Sequence, residues 1–279
     1  MKTKIQELFK KMYGDGASFF ASPGRVNLIG EHTDYNLGFV LPGAIDKAIY
    51  VGVKPNDGQK CRIHSVDYDQ SIEMDLHGEK PAQQWARYIY GVVQEMEKRG
   101  ALIRPFDMTF GGDVPLGAGL SSSAALESAV GFALNTVYNL GFSREQLAKI
   151  GQMTEHNYVG VRCGIMDQFA VAMGKKDHAV YLNTGDLSYE YVPVELKGVK
   201  LVLANSNKKH ALNESAYNDR RRECEEALRN LQEIMGIEAL CQLDPDTFET
   251  CQKAIRDEDC RRRARHAVME NARTKKAVE

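Results

Sequence analysis

Three short segments hold the residue types that can do chemistry. In Pro115-Leu116-Gly117-Ala118-Gly119-Leu120-Ser121-Ser122-Ser123-Ala124-Ala125, two glycines let the backbone approach a ligand closely and three serines add hydroxyl donors. A helix starting near Ser122 would aim its unsatisfied N–H groups and the positive end of its dipole back at the loop. This is an anion site suited to a polyphosphate. No Gly-Lys-Ser/Thr closes it, so it is not a Walker A loop, and it lacks the G-x-G-x-x-G of a dinucleotide fold. An ordinary Gly/Ser turn with a serine N-cap is the competing reading.

The second segment, Pro23-Gly24-Arg25-Val26-Asn27-Leu28-Ile29-Gly30-Glu31-His32-Thr33-Asp34-Tyr35, crowds Arg, Glu, His and Asp next to two glycines. A strand end does not need that density of charged and hydrogen-bonding groups, whereas a polyol site does, because hydroxyls want carboxylate acceptors. A solvated turn with local ion pairs explains it equally well. The third segment, Gly164-Ile165-Met166-Asp167-Gln168-Phe169, sets one aspartate among apolar residues. Such an acid is either a helix cap or a carboxylate held in a restricted site to accept a proton.

Regular elements must position these groups. Ile5 to Tyr13 has helical apolar spacing, and Ser18 to Leu28 suits a strand entering a turn at Pro23-Gly24. Gly38 to Val53, broken by Pro42-Gly43, reads as paired strands, and Arg62 to Leu76 alternates in the same way. Gln83 to Arg99 recovers the period of 3.6, with Trp85 and Tyr88 on one face, and Phe106 to Phe110 is a short strand leading into the Gly/Ser loop. Helices are expected at Ser143 to Val159 and Gly164 to Met173, and strands at Ala179 to Leu182, Tyr189 to Val194 and Lys200 to Asn205. From Tyr217 to Glu279 the chain reads as charged amphipathic helices, which places a domain boundary between residues 206 and 207.

Composition narrows the class. With 279 residues, 43% of them hydrophobic, the chain can bury a core, and a formal net charge of -2 argues against a nucleic-acid partner. No window approaches a bilayer-spanning apolar run, and Met1 to Met12 lacks the apolar core of a signal peptide, so a cytoplasmic location is expected. Six cysteines without C-x-x-C or metal-ligand spacing read as reduced thiols.

Together the three segments resemble one family. Pro23 to Tyr35 resembles the galactokinase signature, and Pro115 to Ala125 resembles the phosphate-binding motif of the GHMP kinases (galactokinase, homoserine, mevalonate and phosphomevalonate kinases). Cys163 to Gln168 resembles the segment carrying their catalytic aspartate. The resemblance implies ATP-dependent phosphorylation of the C1 hydroxyl of galactose, with Mg²⁺ as cofactor and a monomer as the assembly. Asp167 would be the general base, with Arg25 beside it, and Glu31, His32, Asp34, Gly164 and Tyr217 would contact the sugar. Pro115, Leu116, Gly117, Ala118, Gly119, Leu120, Ser121, Ser122, Ser123 and Ala124 would hold ATP phosphates, Trp85 and Tyr88 would lie against the adenine, and Ser123 and Glu155 would position Mg²⁺.

The implied fold is α+β and two-lobed, with the active site in the cleft and a left-handed βαβ crossover in an N-terminal lobe of residues 1–206. Residues 207–279 would form a partial, helical C-terminal lobe, because a further glycine-rich motif that galactokinases carry near the C-terminus does not occur in this chain. Two other readings belong to the same resemblance. One is a catalytically silent sensor of galactose and ATP, or an inactive truncated kinase, although such sensors tend to lose part of the Ser121-Ser122-Ser123-Ala124 run that is kept here. The other is a kinase for N-acetylgalactosamine or another sugar.

Overall fold

The computed structural model describes residues 1–115, 117–205 and 211–279, with the backbone alone for 211–215. In chain order the helices are α1 (Lys2–Tyr13), α2 (Gln84–Glu97), α3 (Ser122–Val137), α4 (Arg144–Thr154), α5 (Met166–Met173), α6 (Ala211–Gln232), α7 (Pro245–Cys251) and α8 (Glu258–Lys276). The strands are β1 (Ser18–Asn27), β2 (Phe39–Val40), β3 (Pro42–Pro55), β4 (Cys61–Ser65), β5 (Gln70–Met74), β6 (Phe106–Gly112), β7 (His178–Asn183) and β8 (Tyr189–Pro193). The fold is α+β with a mixed sheet.

Two compact units divide the chain. The first comprises Met1–Arg25, Ile45–Gly160 and Val171–Met173, and the second Val26–Ala44, Val161–Ala170 and Gly174–Glu279. This differs from a contiguous split at 206 and 207, a position that lies outside the described residues. The segment 26–44 joins the second unit because its backbone is hydrogen-bonded to residues more than 230 positions later, a link that composition along the chain does not reveal.

In the first unit β3 pairs antiparallel with β6 from Ile49↔Gly112 to Pro55↔Phe106. Next, β6 pairs parallel with β4, and β4 and β5 form an antiparallel hairpin. The apolar face carries Val51, Val53, Ile63, Phe106 and Met108, and packs with α2 (Ile89, Val92, Val93, Met96), α3 (Ala125, Ala129, Val130, Ala133, Leu134) and α4 (Leu147, Ile150). Burying a side chain such as Ile or Leu contributes about 1.5–3 kcal/mol, so this one cluster dominates the unit's stability. Alanines on α3 let the helices approach closely. A capping box starts α4: Ser143 Oγ accepts from Gln146 N at 3.2 Å, and the Gln146 side chain accepts from Ser143 N at 2.8 Å.

The second unit holds β2, β7 and β8, with Phe39↔Asn183 pairing β2 to β7 and Leu182↔Tyr189 pairing β7 to β8. Its core is helical, built from Cys224, Ala227 and Leu231 of α6, Phe248 of α7, and Ala264, Ala267 and Val268 of α8, with Tyr35 packed against it. Side chains cap two of these helices: Asp244 accepts from Thr247 N and Asp257 from Cys260 N, each at 2.9 Å.

Three local expectations are corrected. Pro23 and Gly24 lie inside β1 and make no turn. Strands β2 and β3 follow one another without pairing, since β7 lies between them. Residues 201–205 form no strand; Val199, Leu201, Val202 and Leu203 are exposed, and a β-prone run becomes a strand only against a partner ladder. Among the described residues no helix is long and apolar enough to cross a membrane, and no disulfide joins any of the six cysteines.

Candidate active site

The Gly/Ser loop belongs to the first unit and connects β6 to α3. Gly117 and Gly119 sit at φ 73° and 72°, left-handed conformations that favour glycine. Ser121 adopts the same region at φ 56°, a strained state of the kind that clusters at ligand sites. The α3 ladder opens with Ala125 N donating to Ser121 O at 2.9 Å, so the N–H groups of Ser122, Ser123 and Ala124 stand ahead of it.

Arg25, in β1, holds the loop from beneath. Its Nη1 donates to Gly119 O at 2.7 Å and its backbone N to Leu120 O at 3.1 Å. A Cβ on Gly24 would lie 2.7 Å from that Leu120 oxygen, which explains a glycine within the strand. Leu120 itself is buried in the core and Pro115 is exposed, so these two anchor and frame the loop while the serines present its polar groups. Leu116 lies outside the described residues.

Trp85 is buried in the core with its indole N–H donated to Gln70 Oε1 at 3.1 Å, and Tyr88 is half-buried against the same cluster. Trp85 on that helix face therefore belongs to the core. Glu155 is buried and starts a π-turn, Glu155–Val159, at the end of α4. Helix α2 fixes this turn. Asn157 Nδ2 donates to Glu95 at 2.9 Å, and a Cβ on Gly91 would lie 2.6 Å from Thr154 Cγ2. Burial works against the charge of Glu95, but hydrogen bonds from Lys98, Arg99 and Asn157 outweigh it and hold its carboxyl below the ordinary glutamate range.

The second unit gathers the other predicted residues. The turn from Gly30 to Phe39 is fastened internally by Thr33 Oγ1, which is 2.8 Å from both Gly30 O and Phe39 O, and by Asn36 Nδ2 donating to His32 O at 2.8 Å. Asp34 is buried; its carboxylate accepts from Tyr35 N at 3.0 Å and, at a long 3.4 Å, from Met166 N at the start of α5. A Cβ on Gly164 would overlap this carboxylate, so only glycine fits there. The Gly164 N–H points at Tyr217 Oη at 3.4 Å, and burial together with Asp34 raises that phenol well above its ordinary pKa.

His32 stands between Tyr35, whose hydroxyl is 2.8 Å from Nδ1, and the Tyr217 ring, with centroids 5.5 Å apart. Burial, reinforced by His266, Arg220 and Arg263, lowers its pKa and keeps the ring neutral at pH 7. Asp167 lies in the first turn of α5, next to the Met166 N–H that faces Asp34. Arg221 of α6 ties down the loop before it, donating to Arg162 O at 2.7 Å.

Residues 87–175 match the GHMP kinases N terminal domain, and residues 7–55 match the galactokinase galactose-binding signature. The chain is 41% identical to the galactokinase of Bacillus subtilis (strain 168) over 285 aligned positions, covering 100% of this chain and 73% of that protein. It belongs to the galactokinase family. The Lactiplantibacillus plantarum galactokinase is 48% identical over 265 positions, covering 93% of this chain and 68% of its own length. Among solved structures, Lactococcus lactis galactokinase complexed with galactose superposes with a TM-score of 0.91 at 38% identity, across 99% of this chain and 73% of that one. The Methanococcus jannaschii mevalonate kinase, 16% identical with a TM-score of 0.57, shares the fold alone.

For this galactokinase-family chain, sequence reasoning missed the part played by α8. His266, Glu270, Asn271 and Thr274 recur at helical spacing and face the Gly30–Phe39 turn, with the last three buried. The signal was a polar stripe at His266, Glu270 and Thr274, flanking the buried Ala267, which reads as a solvated face until the burial is seen.

Proposed function

We propose that the chain transfers the γ-phosphoryl group of ATP to the C1 hydroxyl of galactose, giving ADP and galactose 1-phosphate. The observation that carries this is the buried Asp34 carboxylate seated against Gly164 and Tyr217, in a chain 41–48% identical to galactokinases. A buried carboxylate, a neutral histidine and a phenol form a set of hydroxyl partners, and Glu31, His32, Asp34, Gly164 and Tyr217 would take the sugar.

The residues have separable tasks. Asp167 would accept the C1 hydroxyl proton as the oxygen bonds to phosphorus and the bond to the ADP oxygen breaks. Arg25 and the N–H groups at the start of α3 would offset charge on the phosphates. Trp85 and Tyr88 stand on one helix face, and Tyr88 is the more accessible partner for an adenine ring. Ser123 and Glu155 would hold Mg²⁺: one hydroxyl and one carboxylate suit a hard cation that takes its remaining ligands from water and phosphate. Bound there, the ion would supply charge neutralisation on the phosphate oxygens.

Keeping Ser121-Ser122-Ser123-Ala124 and Asp167 favours catalysis over silent sensing. The test is galactose-dependent ADP release by the purified chain, run beside Asp167→Asn with a sugar panel. We expect the variant to lose at least about 100-fold in turnover while still binding galactose. If binding disappears along with turnover, Asp167 is a sugar ligand and not the base.

A further inference from the structure

The turn that carries Glu31, His32 and Asp34 is conformationally expensive. Gly30 at φ 103°, His32 at φ 62° and Leu37 at φ 56° all sit in the left-handed region, which persists only where surrounding structure over-determines it. Helix α8 supplies that constraint. Glu270 Oε1 accepts from Gly30 N at 2.9 Å and from Glu31 N at 3.3 Å, while Oε2 takes the forked Arg273 guanidinium at 2.9 and 2.6 Å. One turn earlier, His266 Nε2 lies 2.9 Å from the Glu31 carbonyl oxygen. One residue on, Asn271 Oδ1 accepts from Phe39 N at 2.8 Å and its Nδ2 donates to Cys241 O at 2.9 Å.

These contacts bracket the turn at both ends, at Gly30-Glu31 and at Phe39. The carboxyl of Glu31 is also hydrogen-bonded to that of Glu270. Although Glu31 as a residue is exposed, desolvation of its carboxyl and the Glu270 bond push that carboxyl up, against Asn27, whose Nδ2 donates to it at 2.9 Å. For Glu270, burial opposes ionisation, but the Gly30 N–H, Arg273 and the Glu31 N–H together hold its carboxyl below the usual range. The two neighbouring carboxyls are thus pushed in opposite directions, Glu31 up and Glu270 down.

We infer that Glu270 is a positioning residue for the sugar site: its carboxylate, locked by Arg273, fixes the Gly30-Glu31 peptide and thereby the aim of the Glu31 and Asp34 side chains. This rests on the reading of that turn as the galactose site. A helix whose remaining surface pairs Arg261 and Arg262 with Glu258 in exposed contacts thus carries, on its buried side, the template for a binding loop.

Two variants of the full chain separate positioning from general stability. Glu270→Gln keeps an oxygen acceptor for the Gly30 and Glu31 N–H groups; Glu270→Ala removes it. We expect Glu270→Ala to raise the galactose KM roughly tenfold or more, as the loss of a charge-assisted hydrogen bond predicts. The ATP KM should stay within about twofold of wild type, and Glu270→Gln should recover most of the galactose loss. Amide hydrogen exchange across residues 30–39, measured without sugar, should speed up in Glu270→Ala and not in Glu270→Gln. Equal losses for both substrates, or no rescue by Gln, would overturn the positioning role. Unchanged exchange in the Ala variant would overturn the contact itself. A wild-type chain that ignores galactose would instead refute the sugar reading, and the exchange arm would still decide whether Glu270 holds the turn.

Discussion

At the scale of single residues, Gly164 and Asp34 show how a missing atom makes a site. The Asp34 carboxylate occupies the space that any Cβ at position 164 would need, so Gly164→Ala must push the carboxylate aside. The expected outcome is a galactose KM raised at least about tenfold with the ATP KM little changed, read from initial rates against each substrate. Glu95 yields a pH prediction. Its carboxyl is held below the ordinary glutamate range, so its ionic contacts contribute stability that is present above that range and lost as pH falls through the depressed value. Thermal melts across the acid limb should therefore be flatter for Glu95→Gln than for wild type, and parallel curves would contradict the assignment.

At the scale of elements, much of the fold was legible because local chemistry and tertiary packing agree. Helices α1 to α5 and strands β4 to β8 fall where the sequence predicts them, with α4 capped at the expected Ser143. Residues 201–205 were misread for want of a partner ladder, and the other misreadings come from a partner distant in the chain. Pro23-Gly24 reads as a turn, yet it is strand because the Leu120 carbonyl needs a glycine opposite it. His266, Glu270 and Asn271 read as surface because their partners lie more than 230 residues earlier. Gly119 tests the phosphate loop at this scale. Nothing lies within 4 Å of a Cβ there, so Gly119→Ala isolates backbone strain at φ 72°, about 1 kcal/mol. We expect a several-fold rise in the ATP KM with sugar binding intact; a normal ATP KM would show that the loop's left-handed turn is not required.

For the whole molecule, each unit owns a core and a share of the chemistry. Arg25, the serines of the loop and Glu155 lie in the first; Asp34, Gly164, Asp167, Tyr217 and the α8 stripe lie in the second. Predicting the three motifs needed only contiguous residues, whereas predicting which unit each belongs to needed the long-range hydrogen bonds. Ligand linkage gives the test at this scale. Galactose at about 100 times its Kd should stabilise the native chain by about 2.7 kcal/mol, seen as a melting temperature raised by several degrees. A sugar that does not fit the site should leave it unchanged, and equal shifts with every sugar would speak against a specific site.

The Gly30–Glu270 bond also sets a clock. The two residues are separated by 240 positions, and ribosomes add roughly 5–20 residues per second. The turn is therefore synthesised on the order of ten to fifty seconds before the helix that fixes it. Throughout that interval a nascent chain carries every residue of the sugar signature without the side chain that aims them, so the binding loop is among the first parts of the molecule to be made and among the last to take its final form.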